Sequence, residues 1–201
     1  MTGTQTCKFH PCQNQSDIGR KANTRQSEIM ITILAENYNT ISQEIYDKIV
    51  GSLEIKQLSC TCGHSGCLER HASYSRSLRI LGEKITFQIL RVRCRECGRT
   101  HAILLSVMVP YSQIPYADQK SVVANYENGG TSNEVLNRNC LIEEREISYI
   151  ICRYKRHWKE RLASIGVNTT DENLLSRCFE VFGRGFMQIK KTPNILFALP
   201  T

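Results

Sequence analysis

Three cysteines and two histidines fall within CTCGHSGCLERH (60–71), and a second group, RVRCRECGRTHA (91–102), carries Cys94 and Cys97 in a C-x-x-C-G turn. Soft thiolates and imidazoles at such spacing are the ligands of a structural zinc ion, which wants four of them in a tetrahedron. A knuckle puts two thiolates on one tight turn, and a glycine after the second gives the backbone room. Cys94, Cys97 and Gly98 match that pattern in full. The upstream half is irregular: Cys62 precedes Gly63 like the second member of a knuckle, but Cys60 stands one residue too close to it and Cys67 five residues on. The expected ligands are Cys60, Cys62, Cys94 and Cys97, with Cys67 the first substitute and His64 or His71 behind it. A redox dithiol belongs at a strand-to-helix junction, whereas strand-like sequence follows Cys97. Catalytic zinc needs an open position and a general base, and neither H-E-x-x-H nor H-x-E with P-C-x-x-C occurs.

Two distant clusters meet only if the chain between them runs out and back. Ile85, Phe87 and Ile89 alternate with Thr86 and Gln88, LGEK (81–84) supplies a turn, and HAILLSVMV is a short apolar run, so residues 54–109 read as a small antiparallel sheet. A sheet of that size cannot bury enough core unaided and depends on the metal. Before it, Ile41, Ile45, Ile49 and Val50 follow Thr40 at helical spacing. Beyond Pro110 the pattern turns helical. One helix runs from Pro115 to the paired Gly129 and Gly130, and a short one follows Thr131 and Glu134, a capping-box pair. A long third helix ending at Gly166 aligns Ile147, Ile150, Ile151, Tyr154, Trp158, Leu162 and Ile165 on one face. DENLLSRCFEVFGRGF predicts a fourth helix, and KKTPNILFALPT a tail.

The fold class is therefore α+β: a small antiparallel zinc-ribbon-like sheet followed by a helical, helix-turn-helix-like domain. Residues 1–29 are polar and aperiodic, a poorly ordered extension in which Cys7, His10 and Cys12 form a minor ligand-like cluster. Met30 has the sequence context of a translation start. The expected divisions are 1–29, a helix plus ribbon over 30–112, the helix-turn-helix-like unit over 113–166, and a C-terminal helix and tail over 167–201.

No run of about 18 apolar residues occurs and no apolar signal segment opens the chain, so the cytoplasm is the expected location. In that compartment the 10 cysteines of the 201 residues point to metal binding or unpaired core thiols rather than a disulfide framework. The net charge of +7 favours an anionic partner, and the basic residues are clustered. Arg91, Arg93 and Arg95 alternate along a strand-like stretch. Arg153, Lys155, Arg156, Lys159 and Arg161 crowd the second half of the third helix, while Glu143, Glu144 and Glu146 occupy its first turn. These two basic groups are the expected contacts to double-stranded DNA. Phosphate contact fits them better than base reading, because the N-terminal turn that a helix-turn-helix presents to base edges is acidic. Tyr154 and Trp158 read as core.

LSCTCGHSGCLERHASYSRS, LRVRCRECGRTHAILLSVMVPYSQI, YKRHWKERL and FMQIKKTPNILF together resemble an uncharacterised family of bacterial proteins with a zinc-ribbon-like N-terminal half, transposase-like or associated with mobile elements. The resemblance spans roughly residues 30–199. Cys94, Cys97, Gly98, Thr100 and His101 match its knuckle, with His101 either packing or supporting a ligand, and Cys60, Cys62, Gly63 and Cys67 match its upstream cluster. It implies DNA transactions in mobile elements. A DNA-cutting transposase needs a carboxylate trio holding two metal ions on a ribonuclease-H-like fold. The chain leaves too little sequence for that fold, and Asp118, Glu134 and Asp171 sit in helical or capping contexts. The expectation is thus a zinc-dependent DNA-binding accessory or regulatory protein and not an enzyme. The competing expectation is an adaptor that docks a transposase or polymerase through its ribbon.

Overall fold

The structure is a computed structural model and describes residues 29–35, 41–138 and 142–182. The alternating stretch is a long hairpin, β2 (Leu68–Ile80) and β3 (Glu83–Cys94). Ile80 pairs with Glu83, leaving only Leu81 and Gly82 in the turn, with φ 49° and 92°. Two positive φ values at the centre of a two-residue loop match the right-handed twist of the strands it joins. The hairpin is bulged between Arg70 and Ala72, opposite Val92 and Arg91.

The apolar run after the knuckle forms β4 (Thr100–Leu105), and Ile29–Ile33 forms a further strand, β1. The sheet order is β1-β4-β3-β2, with β1 parallel to β4 and the other pairs antiparallel. The sheet is therefore mixed, not the antiparallel sheet expected. Met30–Ile33 is uniformly buried, and a strand enclosed on both faces reads as a continuous apolar run without the alternation that announces a strand. The expectations for residues 1–28 and for the tail after Phe182 lie outside the described residues.

β3 and β4 pair only from Arg91↔Ala102 to Arg93↔Thr100. The next rung, Leu90 with Ile103, is spanned by a side chain. Helix α1 (Gln43–Gly51), capped by Ser42, buries Tyr46, whose hydroxyl accepts from the Leu90 amide at 2.9 Å and donates to the Ile103 carbonyl at 2.9 Å. At the far end of β4 the Ser106 hydroxyl accepts from the Ala35 amide at 2.9 Å, prolonging the hold on β1.

The helical layer comprises α2 (Tyr116–Glu127), α3 (Ser132–Arg138), α4 (Glu144–His157), α5 (Lys159–Ser164) and α6 (Leu174–Phe182). The single long third helix of the sequence reading is two helices. They break at Trp158, with φ −119° and ψ −34°, although Trp158 still donates to the Tyr154 carbonyl at 2.8 Å and accepts from the Leu162 amide at 2.9 Å. Apolar spacing runs unbroken through the joint because Tyr154, Trp158 and Leu162 all stay on the shared core, which hides the break from periodicity. Trp158 meets the Phe182 ring edge-on at 5.8 Å.

Two hydrophobic clusters result, one around the sheet and α1, the other among the helices. Three arginines tie them. Arg79 pairs with Glu146 of α4, Arg76 donates to the carbonyls of Val109 and Ser112, and Arg153 donates to the Pro110 carbonyl. Among the described residues, no helix is long and apolar enough to cross a membrane. Cys152 departs from the expectation of metal-bound or unpaired thiols: it is disulfide-bonded.

Tyr46→Phe strips two buried backbone groups of their partner at a rung where no ladder bond replaces it. The expected loss is about 1–3 kcal/mol, read as a lower denaturation midpoint with an unchanged denaturant slope. An unchanged midpoint would show that the sheet closes this rung without the hydroxyl.

Candidate metal centre

Each half of the cluster sits on a turn that the sequence closes locally. Upstream, Ser59 and Ser65 pair across an isolated bridge, the Cys60 amide donates to the His64 carbonyl at 3.0 Å, and the Gly63 amide donates to the Cys60 carbonyl at 3.0 Å. Gly63 and Gly66 have φ 90° and 70°, a conformation that other residues reach only with strain. Downstream, the Cys94 amide donates to the Arg99 carbonyl at 2.8 Å and the Gly98 amide to the Cys94 carbonyl at 3.0 Å, while Gly98 has φ 69°. The Arg95 amide joins the halves by donating to the Cys67 carbonyl at 2.9 Å.

The two turns bring the thiol sulfurs of Cys60, Cys62, Cys94 and Cys97 within 4.8 Å of one another. Cys60 Sγ lies 3.6 Å from Cys97 Sγ, and Cys62 Sγ lies 3.7 Å from Cys94 Sγ. A tetrahedral zinc–thiolate centre with bonds of about 2.3 Å has sulfur–sulfur edges of about 3.8 Å. Disulfides, at about 2.05 Å, are a different arrangement, and all four thiols are free. The spacing and the all-sulfur donor set thus fit a small, soft, tetrahedral ion such as zinc.

Around the ligands lie groups that favour or resist thiolate. Burial pushes the Cys60 thiol up to about 12, so its ionisation calls for a compensating cation close by. Cys62 is drawn down to about 6 by the His64 amide and the His64 ring, whose Nδ1 stands 3.4 Å from its sulfur. At Cys94 burial acts upward, but the Cys97 amide and the neighbouring thiols outweigh it and the net shift is downward. The Cys97 amide stands 3.5 Å from the Cys94 sulfur.

Cys67 is a fifth thiol outside the set of four. It is buried, and its Sγ donates to the His64 carbonyl at 3.2 Å. His71 is exposed at the bulge of β2. His101, fully buried on β4, puts Nε2 3.2 Å from Cys60 Sγ. Its register explains the approach: His101 pairs with Val92, and Val92 shares a strand face with Cys94. His101 thus stands behind a ligand as a hydrogen-bond partner, where it can orient the Cys60 sulfur.

The residues expected to face DNA are not all alike. Arg93 and Arg95 are exposed, but Arg95 has left the strand for the turn, so only Arg91 and Arg93 share a strand face. Arg91 is half-buried and donates to Thr100 Oγ1 at 3.0 Å. In the helical layer Lys155 and Arg156 are exposed, with Lys155 4.5 Å from the centre of the Tyr126 ring. Lys159 pairs with Glu127 at 3.0 Å, and Arg161 lies over the Trp158 ring at 5.3 Å. Arg153 points inward, to Pro110 and over the Tyr149 ring at 5.6 Å.

Fold and site define an α+β protein whose four-stranded mixed sheet carries a four-cysteine cluster at one end, followed by several helices. Residues 59–144, which include all four cysteines, match the model of a family described as a domain of unknown function, DUF6431. No curated protein and no solved structure matches the chain.

Metal analysis of the purified chain is expected to give a single bound ion. Cys94→Ser and Cys97→Ser should abolish it, and Cys67→Ser should leave it in place. His101→Ala should keep the stoichiometry while weakening the metal roughly 10–100-fold in competition with a chelator. Full retention of affinity in that variant would show that His101 only packs.

Proposed function

We propose that this chain is a zinc-dependent DNA-binding accessory or regulatory protein of a mobile element, one without a catalytic domain of its own. The observation that carries the reading is the surface of the metal-bearing end. Arg70, Arg93, Arg95 and Arg99 are exposed there around the cysteine turns, with Glu69 and Glu96 as the intervening acids. Cations fixed on a rigid framework suit phosphate oxygens, and each phosphate neutralised releases counterions from the duplex. Lys155 and Arg156 add exposed charge at the basic end of α4. A helix-turn-helix role for α3 and α4 belongs to the same proposal, restricted to phosphate contact. The acidic first turn of α4 is engaged by Arg79 of the sheet through Glu146, which leaves the basic end as the part suited to DNA. The mobile-element setting rests on the sequence resemblance.

A second reading, an adaptor for a transposase or polymerase, draws on a different feature. Leu81 is 82 % exposed at the hairpin tip and Tyr111 64 % exposed, both at positive φ, so two large apolar side chains are held outward at some backbone cost. Such residues suit a protein partner better than phosphate.

Fluorescence anisotropy of a random duplex, titrated with metal-loaded protein across a salt series, separates the two. DNA binding through these arginines predicts a steep linear fall of log K with log salt. Arg93→Ala and Arg95→Ala should each flatten the slope by about 0.9, and removing the metal should abolish binding. Flat or absent binding by folded, metal-loaded protein would reject the DNA reading and leave the adaptor.

A further inference from the structure

The helical layer encloses a pocket that the DNA reading does not use. It has a volume of about 110 Å³ and lies among α2, α4, α5 and α6, walled by apolar side chains such as Val123, Ile150, Trp158 and Leu174. Burial raises the Cys178 thiol in its wall to about 11 and the Tyr154 hydroxyl to about 12, as an interior of low polarity should. Two cations reach the same walls. Lys120 Nζ donates to the Asp171 carbonyl at 2.6 Å, and Arg153 donates to the Pro110 carbonyl at 3.2 Å. These acceptors are main-chain carbonyls, which carry no charge, and none of the described residues that line the pocket is an aspartate or glutamate. The lining therefore combines a hydrophobic body with two cations, of which Lys120 feels the Asp171 carboxylate beside it, whereas Arg153 meets the Pro110 carbonyl and the Tyr149 ring. The setting of Arg153 is unusual in a packed core, where a buried cation ordinarily meets a carboxylate.

We infer that this pocket binds a small, mostly apolar carboxylate, its hydrocarbon part among Val123, Ile150, Trp158 and Leu174 and its anionic head toward Arg153 and Lys120. Size bounds the class: the pocket, at about 110 Å³, is smaller than the roughly 150 Å³ apolar cavity that holds benzene, so it takes at most a small ring or short chain with the head outside at its open edge. The carboxylate supplies the charge that the two carbonyl acceptors lack, and an Arg presents it with parallel donors. Arg153 accordingly serves the pocket rather than DNA.

Trp158 is the chain's sole tryptophan and stands in the wall, so its emission reports occupancy directly. Full-length, metal-loaded protein is titrated with benzoate and hexanoate, and in parallel with the neutral isosteres benzamide and hexanamide. The expected result is a saturable change in Trp158 emission, with at least one acid binding 10-fold or more tighter than its amide. Lys120→Met should bring acid and amide to within a few-fold of each other. Leu174→Phe, which fills the pocket with carbon, should erase the response while leaving the thermal midpoint at or above that of the parent. Absence of a saturable change with every probe, equal binding of acid and amide by the parent, or an unaltered response in a folded Leu174→Phe protein would each overturn the inference.

Discussion

Four sulfur atoms converge from two turns that the chain separates by 37 residues at one edge of the cluster and 32 at another. Everything between those turns is the β2–β3 hairpin, whose register and bulge are fixed by its own pairing. The hairpin alone does not specify where residues 59–65 go. That segment has few apolar side chains, and its ties to the rest are the cysteines, the His101 ring at Cys60, Arg99 donating to Thr61 Oγ1 at 3.4 Å and, just beyond it, the Arg95 amide donating to the Cys67 carbonyl. Closing such a loop costs entropy, and a multidentate ion held by the four sulfurs would offset it with binding energy. The burial of Cys60 is intelligible on the same terms, since a thiolate there needs a cation among its nearest neighbours.

The cluster also sets the charge of its surroundings. A divalent ion with four thiolates would carry a net charge of two minus and take two charges off the chain's formal +7. Arginines around the turns therefore face two claims, the cluster's own field and any external anion. Arg91 is committed to Thr100, and the Arg93 guanidinium reaches within 3.8 Å of the place a Gly98 side chain would occupy, over the knuckle. Arg70, Arg95 and Arg99 project around the same end. Part of the basic surface would thus offset a metal-loaded centre. On the helical side Glu127 holds Lys159 in the same way, so raw charge counts overstate the cations free to act there.

The knuckle was legible because C-x-x-C-G is a local pattern with a local cause, whereas spacing made Cys60 and Cys62 the expected partners but left Cys67, His64 and His71 as substitutes that only the fold sets aside. The alternation of Ile85, Phe87 and Ile89 revealed β3 for the same reason. β1 was not legible: its partner lies about 70 residues away, and a doubly buried parallel strand carries no alternation. The bond from Tyr46 to Leu90 and Ile103 is equally non-local, since nothing in a helix-forming stretch says which backbone its hydroxyl will meet. At Trp158 the failure differs. The core-facing spacing is right and the helix still breaks, because periodicity reports which side faces the core and says nothing about whether the backbone stays continuous. Charge patterning likewise placed Arg153 on a basic face, while the structure turns it to Pro110, a choice made by the packing of α4 against the 106–115 segment.

That segment joins the two halves of the molecule. All residues from His101 to Pro110 are buried. The run starts beside the Cys60 sulfur and continues as β4, held by Tyr46 at Ile103. It ends where Val109 forms part of the pocket wall and Pro110 receives Arg153. Arg76 grips the same stretch from the hairpin side at Val109 and Ser112. Close packing leaves such a segment little room to move in part. The hydrogen bond behind the cysteine cluster and the wall of the helical pocket are therefore two ends of one short buried strand and loop.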